Sequence, residues 1–241
     1  MLFHHRQKSI EHLLPSLKIK NCDIARVSSF NFLGLNLDEH MSWNSHINKV
    51  SNRISRSLGV MNRIKRYLPT YALKLMYNSL ILPHLQYSIL TWGYKADRLI
   101  KLQKRAVRIV TCSKYNSHTD PLFRKLNILK LTDIFVLCNL KFYFKYEGGT
   151  LPHYFTHMFQ EHQHAYFTRH RGGFYQCKPN TSSGIKCIRY FLPSLLSDTP
   201  ACIKDKVHSH SFKGFTGYIK QHFINQYSTE CSIQNCYICN R

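Results

Sequence analysis

The cations between Ser42 and Thr111 fall at helical intervals. Lys49, Arg53, Arg56 and Arg63 follow one another at steps of four, three and seven residues. Lys101, Lys104, Arg105 and Arg108 occupy i, i+3, i+4 and i+7, with Arg98 three residues upstream. Side chains at such intervals share one face of a helix. A solvated helix face usually mixes signs, and the chain's 12 acidic residues are too scattered to offset these rows. Like charges on one face repel one another unless a polyanion neutralises them. The chemistry this spacing supports is phosphate binding, with a generic charged surface as the alternative.

Bond-making chemistry finds no comparable pattern. Polymerases hold two magnesium ions about 3.5–4 Å apart with clustered carboxylates. This chain has no adjacent aspartates, and its one adjacent acidic pair, Asp38-Glu39, lies in a polar turn. Ser117, His118 and Asp120 are too close in sequence to build a nucleophile–base–orienter line, and Thr119 or Asp120 is expected to cap a helix beginning at Pro121. His4-His5, His162/His164 and His208/His210 lack a helical His-Glu-x-x-His arrangement and read as exposed or capping residues. No catalytic residue is expected. For metal, Cys231-x4-Cys236-x2-Cys239 contains a zinc half-site, because two thiolates on one turn reach the same ion. His222, Cys202 or His210 could supply a fourth ligand. Free thiols at a chain end are the alternative.

Elements must position these groups. Trp43, Ile47, Val50, Ile54, Leu58, Met61, Ile64 and Leu68 recur every three or four residues, which predicts a helix over 42–68 with Ser42 as N-cap and Pro69 ending it. A second helix is expected over 70–92, apolar on most faces and bent or broken at Pro83. A third, over 97–111, turns Leu99, Leu102, Ala106, Ile109 and Val110 inward. Helices follow over 121–127 and 132–146, the latter ended by Gly148-Gly149. Residues 1–40 read as strands with a turn at Asn21-Cys22-Asp23, too little sheet to form a domain alone. Residues 159–173 read as a polar, basic linker. Beyond it, short strands are expected around 174–177 and 185–190, then a helix over 209–227. Gly214 and Gly217 fall in that helix and read as packing positions. Phe142-Tyr143-Phe144 and Tyr154-Phe155 read as core. Tyr166, Phe167 and Phe174 beside Arg169 and Arg171 could instead stack on unpaired bases. The fold class is mainly α: a helical bundle over 41–158, a small β remnant over 1–40 and a small α+β region over 174–241.

Composition agrees with an anionic partner. Lys and Arg outnumber Asp and Glu by 34 to 12, a formal charge of +22, while 44% hydrophobic and 13% aromatic residues allow a sizeable core. Nucleic acid is the first candidate and an acidic membrane surface the second. No apolar run approaches the ~20 residues of a membrane span, and Met1 to Arg6 lacks the apolar stretch of a secretory signal. Nine cysteines, an odd number at irregular spacing, point to a reducing compartment, nucleus or cytoplasm.

Several segments resemble non-LTR (LINE-type, jockey-like) retrotransposon reverse transcriptases. Phe32-Leu33-Gly34-Leu35-Asn36-Leu37-Asp38 with Ser42-Trp43 and His46-Ile47 is similar to the stretch after the palm. Leu80-Ile81-Leu82-Pro83-His84-Leu85-Gln86-Tyr87 with Trp92-Gly93, and Leu102-Gln103-Lys104-Arg105-Ala106-Val107-Arg108, fit the same family. So do His118-Thr119-Asp120-Pro121-Leu122-Phe123 and Arg189-Tyr190 with Pro193. The resemblance implies that 1–40 close the palm, that 42–111 are a thumb-like bundle against the template–primer duplex, and that the rest is a C-terminal extension. It implies a non-catalytic portion of an RNA-directed DNA polymerase, since the family's Tyr-x-Asp-Asp motif has no matching position and magnesium would belong to the palm. C-terminal cysteine/histidine clusters are common in the family. A stand-alone basic nucleic-acid-binding or interaction module, or a truncated copy without function, are the alternatives.

Overall fold

The computed structural model describes residues 1–4, 17–159, 174, 179, 184 and 187–228. The chain divides into two compact units, Met1–Arg53 and Ile54–Arg241. Among the described residues it is mainly helical, with two small antiparallel hairpins near the N-terminus.

The first unit holds the hairpins. β1 (Lys18–Ile19) pairs with β2 (Cys22–Asp23), and β3 (Ser29–Phe32) with β4 (Leu35–Asp38). Each turns through two residues with positive φ, Lys20-Asn21 (49° and 63°) and Leu33-Gly34 (48° and 81°). Such loops match the right-handed twist of the flanking strands. Cys22 and Asp23, expected in the turn, are therefore paired in a strand. After β4 the backbone kinks, with positive φ at Met41 and Trp43. Asp38 holds the kink: its carboxylate accepts from the main-chain N–H of His40, Ser42 and Trp43 and from the Ser42 hydroxyl. The same hydroxyl accepts from Asn44 N–H, but Ser42 is not the N-cap of the following helix: Trp43, with its positive φ, stands between them, and its carbonyl accepts from Ile47 N–H.

That helix, α1 (Asn44–Ile64), ends four residues short of the expected 68. Its apolar stripe is real: Ile47, Val50, Ile54, Leu58 and Met61 are all buried. The expected helix over 70–92 is three pieces, α2 (Thr70–Leu80), α3 (Leu82–Gln86) and α4 (Ile89–Trp92). Pro83 sits in the first turn of α3, where its missing N–H costs nothing. The second break, at Ser88 with φ 51°, carries no proline. Nor is this segment the buried centre. Leu75 and Leu80 are exposed, because α2 buries only the face that carries Leu73 and Tyr77.

The centre of the second unit is α7 (Leu131–Glu147), which packs against α3, α4, α5 (Asp97–Val110), α8 (Ile188–Asp198) and α10 (Phe212–Gln226). Gly93 lets Phe135 of α7 come close, since a Cβ there would lie 2.4 Å from Phe135 Cδ2. α6 (Asp120–Leu126) is present, but neither expected cap operates. Thr119 makes no side-chain cap bond, and the Asp120 carboxylate pairs with Lys130 Nζ at 2.7 Å. The strand expected over 185–190 is overturned by α8, which already includes Ile188–Tyr190 and holds Pro193 inside it. α9 (Ala201–Ser209) then precedes α10. Phe191 of α8 stacks against Phe135 with centroids 5.0 Å apart, and this packing outweighs local preference. Ser211 caps α10 by accepting from Gly214 N–H, whereas a Cβ at Gly217 would meet nothing, so no close packing explains that glycine. Phe142 packs edge-on to Phe155, but both are only half-buried and Tyr154 is exposed, so the expectation that these aromatic runs fill the core does not hold.

Candidate nucleic-acid interface

α5 shows how the cations are positioned. Leu99, Gln103, Ala106, Val107, Ile109 and Val110 are buried, while Arg98, Lys101 and Arg105 are exposed and Lys104 and Arg108 half-buried. One buried amide locks the rotation of the helix. Gln103 Nε2 donates to the Tyr77 hydroxyl and to the Leu129 carbonyl, both at 2.9 Å, and its Oε1 accepts from Leu131 N–H at 2.8 Å. Burial pushes the Tyr77 phenol up to about 12, against the opposing hydrogen bond from Gln103. With that face fixed inward, Lys101 and Arg105 face outward, and Lys104 and Arg108 lie half-buried at the edge of the row. The signal at Gln103 was invisible in sequence, where a glutamine among cations reads as surface.

The helix ends in a turn of defined geometry. Ser113 N–H reaches Arg108 O and Cys112 N–H reaches Ile109 O, with Cys112 in the left-handed region at φ 52°. Arg108 belongs to this turn: its Nε donates to Ser117 O at 2.8 Å. Burial lowers the Arg108 guanidinium from its ordinary value and the nearby Tyr115 phenol opposes this. An arginine remains charged at neutral pH regardless. Arg108 thus anchors the 111–118 loop in addition to adding charge.

On α1, Arg53, Arg56 and Arg63 are exposed and Lys49 half-buried, opposite the apolar stripe. The field of this row reaches His46. Burial chiefly, then Lys49 and Arg53, lower its pKa, and Nδ1 accepts from Asn36 N–H at 3.3 Å, which fixes the neutral imidazole. No acidic residue occurs in the sequence between Glu39 and Asp97, or between Asp97 and Asp120. The carboxylates of Asp23, Glu39 and Asp120 pair with Lys18, Arg26 and Lys130, none of them in either row. A further like-charge pair was not legible: burial and Lys74 of α2 lower the pKa of Lys220 on α10, residues far apart in sequence.

Metal ligands are a separate matter. Cys231, Cys236 and Cys239 lie outside the described residues, as do Arg169, Arg171, Tyr166 and Phe167. Phe174, considered for base stacking, instead packs against Phe159 at 5.4 Å and Tyr143 at 6.0 Å between centroids. Of the proposed fourth ligands, His222 lies 3.0 Å from Gln226 and His210 3.0 Å from Ser209. Cys202 is exposed on α9. The structure gathers a different set, His4, Glu39 and His40, with ligand atoms within 4.8 Å of one another. His4 is therefore half-buried in a cluster and not simply exposed. Arg26 donates to Glu39 Oε2 at 2.9 Å and lies 3.4 Å from His4 Nε2, so a guanidinium already neutralises that carboxylate. No helix among the described residues is long and apolar enough to cross a membrane. No protein-family model, curated protein or solved structure matches the chain.

Proposed function

We propose that this chain binds nucleic-acid duplex through its phosphate backbone, in the manner of a thumb-like portion of a non-LTR retrotransposon reverse transcriptase, and carries no polymerase carboxylates of its own. The observation that carries the reading is α5, whose apolar face is buried while Lys101 and Arg105 stand exposed, with Arg98 beside Asp97 at its start and no further acid before Asp120. An A-like duplex presents phosphates on both sides of a wide, shallow minor groove. Basic helices can follow those phosphates without reading bases. Lys49, Arg53, Arg56, Arg63, Arg98, Lys101, Lys104, Arg105 and Arg108 are the proposed contacts.

Neutralising about six to eight phosphates gives a slope of log K against log salt of about −5 to −7. A salt titration of duplex binding tests this, and affinity that stays flat from low to moderate salt would sink the reading. Template-dependent nucleotide incorporation by the purified chain is expected to be absent, and a primer-extension assay checks it. A second reading, an interaction module derived from such an element, draws support from the first unit. Phe30, Phe32 and Leu33 of the second hairpin are exposed, and exposed apolar side chains on a short sheet suit a protein partner.

A further inference from the structure

Tyr67 at 84%, Tyr71 at 71% and Tyr115 at 84% are, with Tyr154, the most exposed tyrosines among the described residues. Tyr67 lies in the turn between α1 and α2, Tyr71 in the first turn of α2, and Tyr115 in the loop after α5. These loops adjoin. Cys112 Sγ lies 3.8 Å from Lys65 O, which brings the end of α5 against the end of α1 within the second unit. Tyr115 is also close enough to Arg108 to act on it electrostatically. The rings stand among cations: Arg63, Lys65 and Arg66 precede Tyr67, and Lys114 precedes Tyr115. Neither 63–71 nor 108–115 contains an acidic residue.

A duplex has little use for such rings. Its base faces are stacked on one another, and its surface offers phosphates and groove edges. An unpaired strand exposes base faces beside each phosphate, and proteins that bind it combine cations with aromatic platforms. We infer that this end of the helical bundle binds single-stranded nucleic acid. Bases stack on Tyr67 and Tyr115, and phosphates meet Arg66 and Lys114. This rests on the proposed nucleic-acid reading and goes beyond it, because it assigns the basic rows to paired strands and the tyrosine-bearing end to an unpaired one.

The test measures fluorescence anisotropy of a labelled oligo(dT) strand and of a duplex of the same length, at one salt concentration, with the full chain. Tyr67→Ala and Tyr115→Ala are each expected to weaken strand binding about tenfold, the effect of losing one stacked base. Tyr67→Phe and Tyr115→Phe should bind the strand like the parent, since the ring face is kept. Duplex binding should be the same in all four variants. Tyr154→Ala is the control: Tyr154 is 89% exposed, and no Lys or Arg lies between Glu147 and Glu161. It should leave strand binding unchanged. Alanine variants that bind the strand as well as the parent would overturn the inference. So would an equal loss from Phe and Ala, or an equal loss for strand and duplex. A parent chain that binds neither probe would overturn both this inference and the proposed function.

Discussion

Gln103 and His46 show how single polar groups decide where the charge goes. Gln103 is fully buried, and both hydrogens of its amide and one lone pair of its oxygen are used. Replacing it with leucine would strand the Leu131 N–H and the Leu129 carbonyl in the core. Each unsatisfied buried group costs about 1–3 kcal/mol, so Gln103→Leu should lower unfolding stability by about 2–6 kcal/mol in urea titrations. His46 gives a pH signature. Its folded pKa lies below the ordinary value, because burial and the Lys49 and Arg53 charges favour the neutral ring. The unfolded chain then binds the proton more readily, so this contribution is complete above the unfolded pKa near 6.5 and fades as pH falls through the folded one. His46→Asn keeps an acceptor for Asn36 N–H without a titrating ring. The stability difference between parent and variant should therefore shift against the parent below about pH 6.5, measured by denaturant unfolding across that range.

At the scale of elements, close approach matters more than propensity. Gly93 has an ordinary φ of −59°, so its side chain is absent for space and not for backbone freedom. A methyl there would meet Phe135 Cδ2 at 2.4 Å and Ile89 Cγ1 at 2.8 Å. Gly93→Ala should cost about 1–3 kcal/mol by overpacking, with part of the loss recovered by adding Phe135→Leu, as calorimetry of the single and double variants would show. The Trp92-Gly93 pair was legible only as a family likeness; its physical meaning needed α7. The stripes of α1 and α5 were legible because a 3.6-residue period is local information. The breaks at Ile81 and Ser88 were only half legible. Pro83 announced the first, whereas the second accompanies a local bond from the Trp92 Nε1 side chain back to Tyr87 O, which no breaker residue signals. The strand expected over 185–190 gives way at Ile188 to the start of α8. Its aromatic and β-branched start suits a strand locally, and only contact of Phe191 with Phe135 shows where it belongs.

For the whole molecule, the central claim is that the exposed cations of the helices act together on a polyanion. The charge of +22 would suit several anionic surfaces, and it alone does not distinguish an organised row from a diffuse coat. Nor could the sequence show that Arg108 also anchors a loop, or that Lys74 and Lys220 come near each other across the bundle. The direct measurement is the salt dependence of duplex binding by the parent and by a variant with Arg98, Lys101, Lys104 and Arg105 all changed to glutamine, which leaves Gln103 and Arg108 in place. If these four groups sit on phosphates, the slope of log K against log salt should become shallower by about 3–4 units. A variant that keeps the parent's slope and affinity while remaining folded would contradict the account.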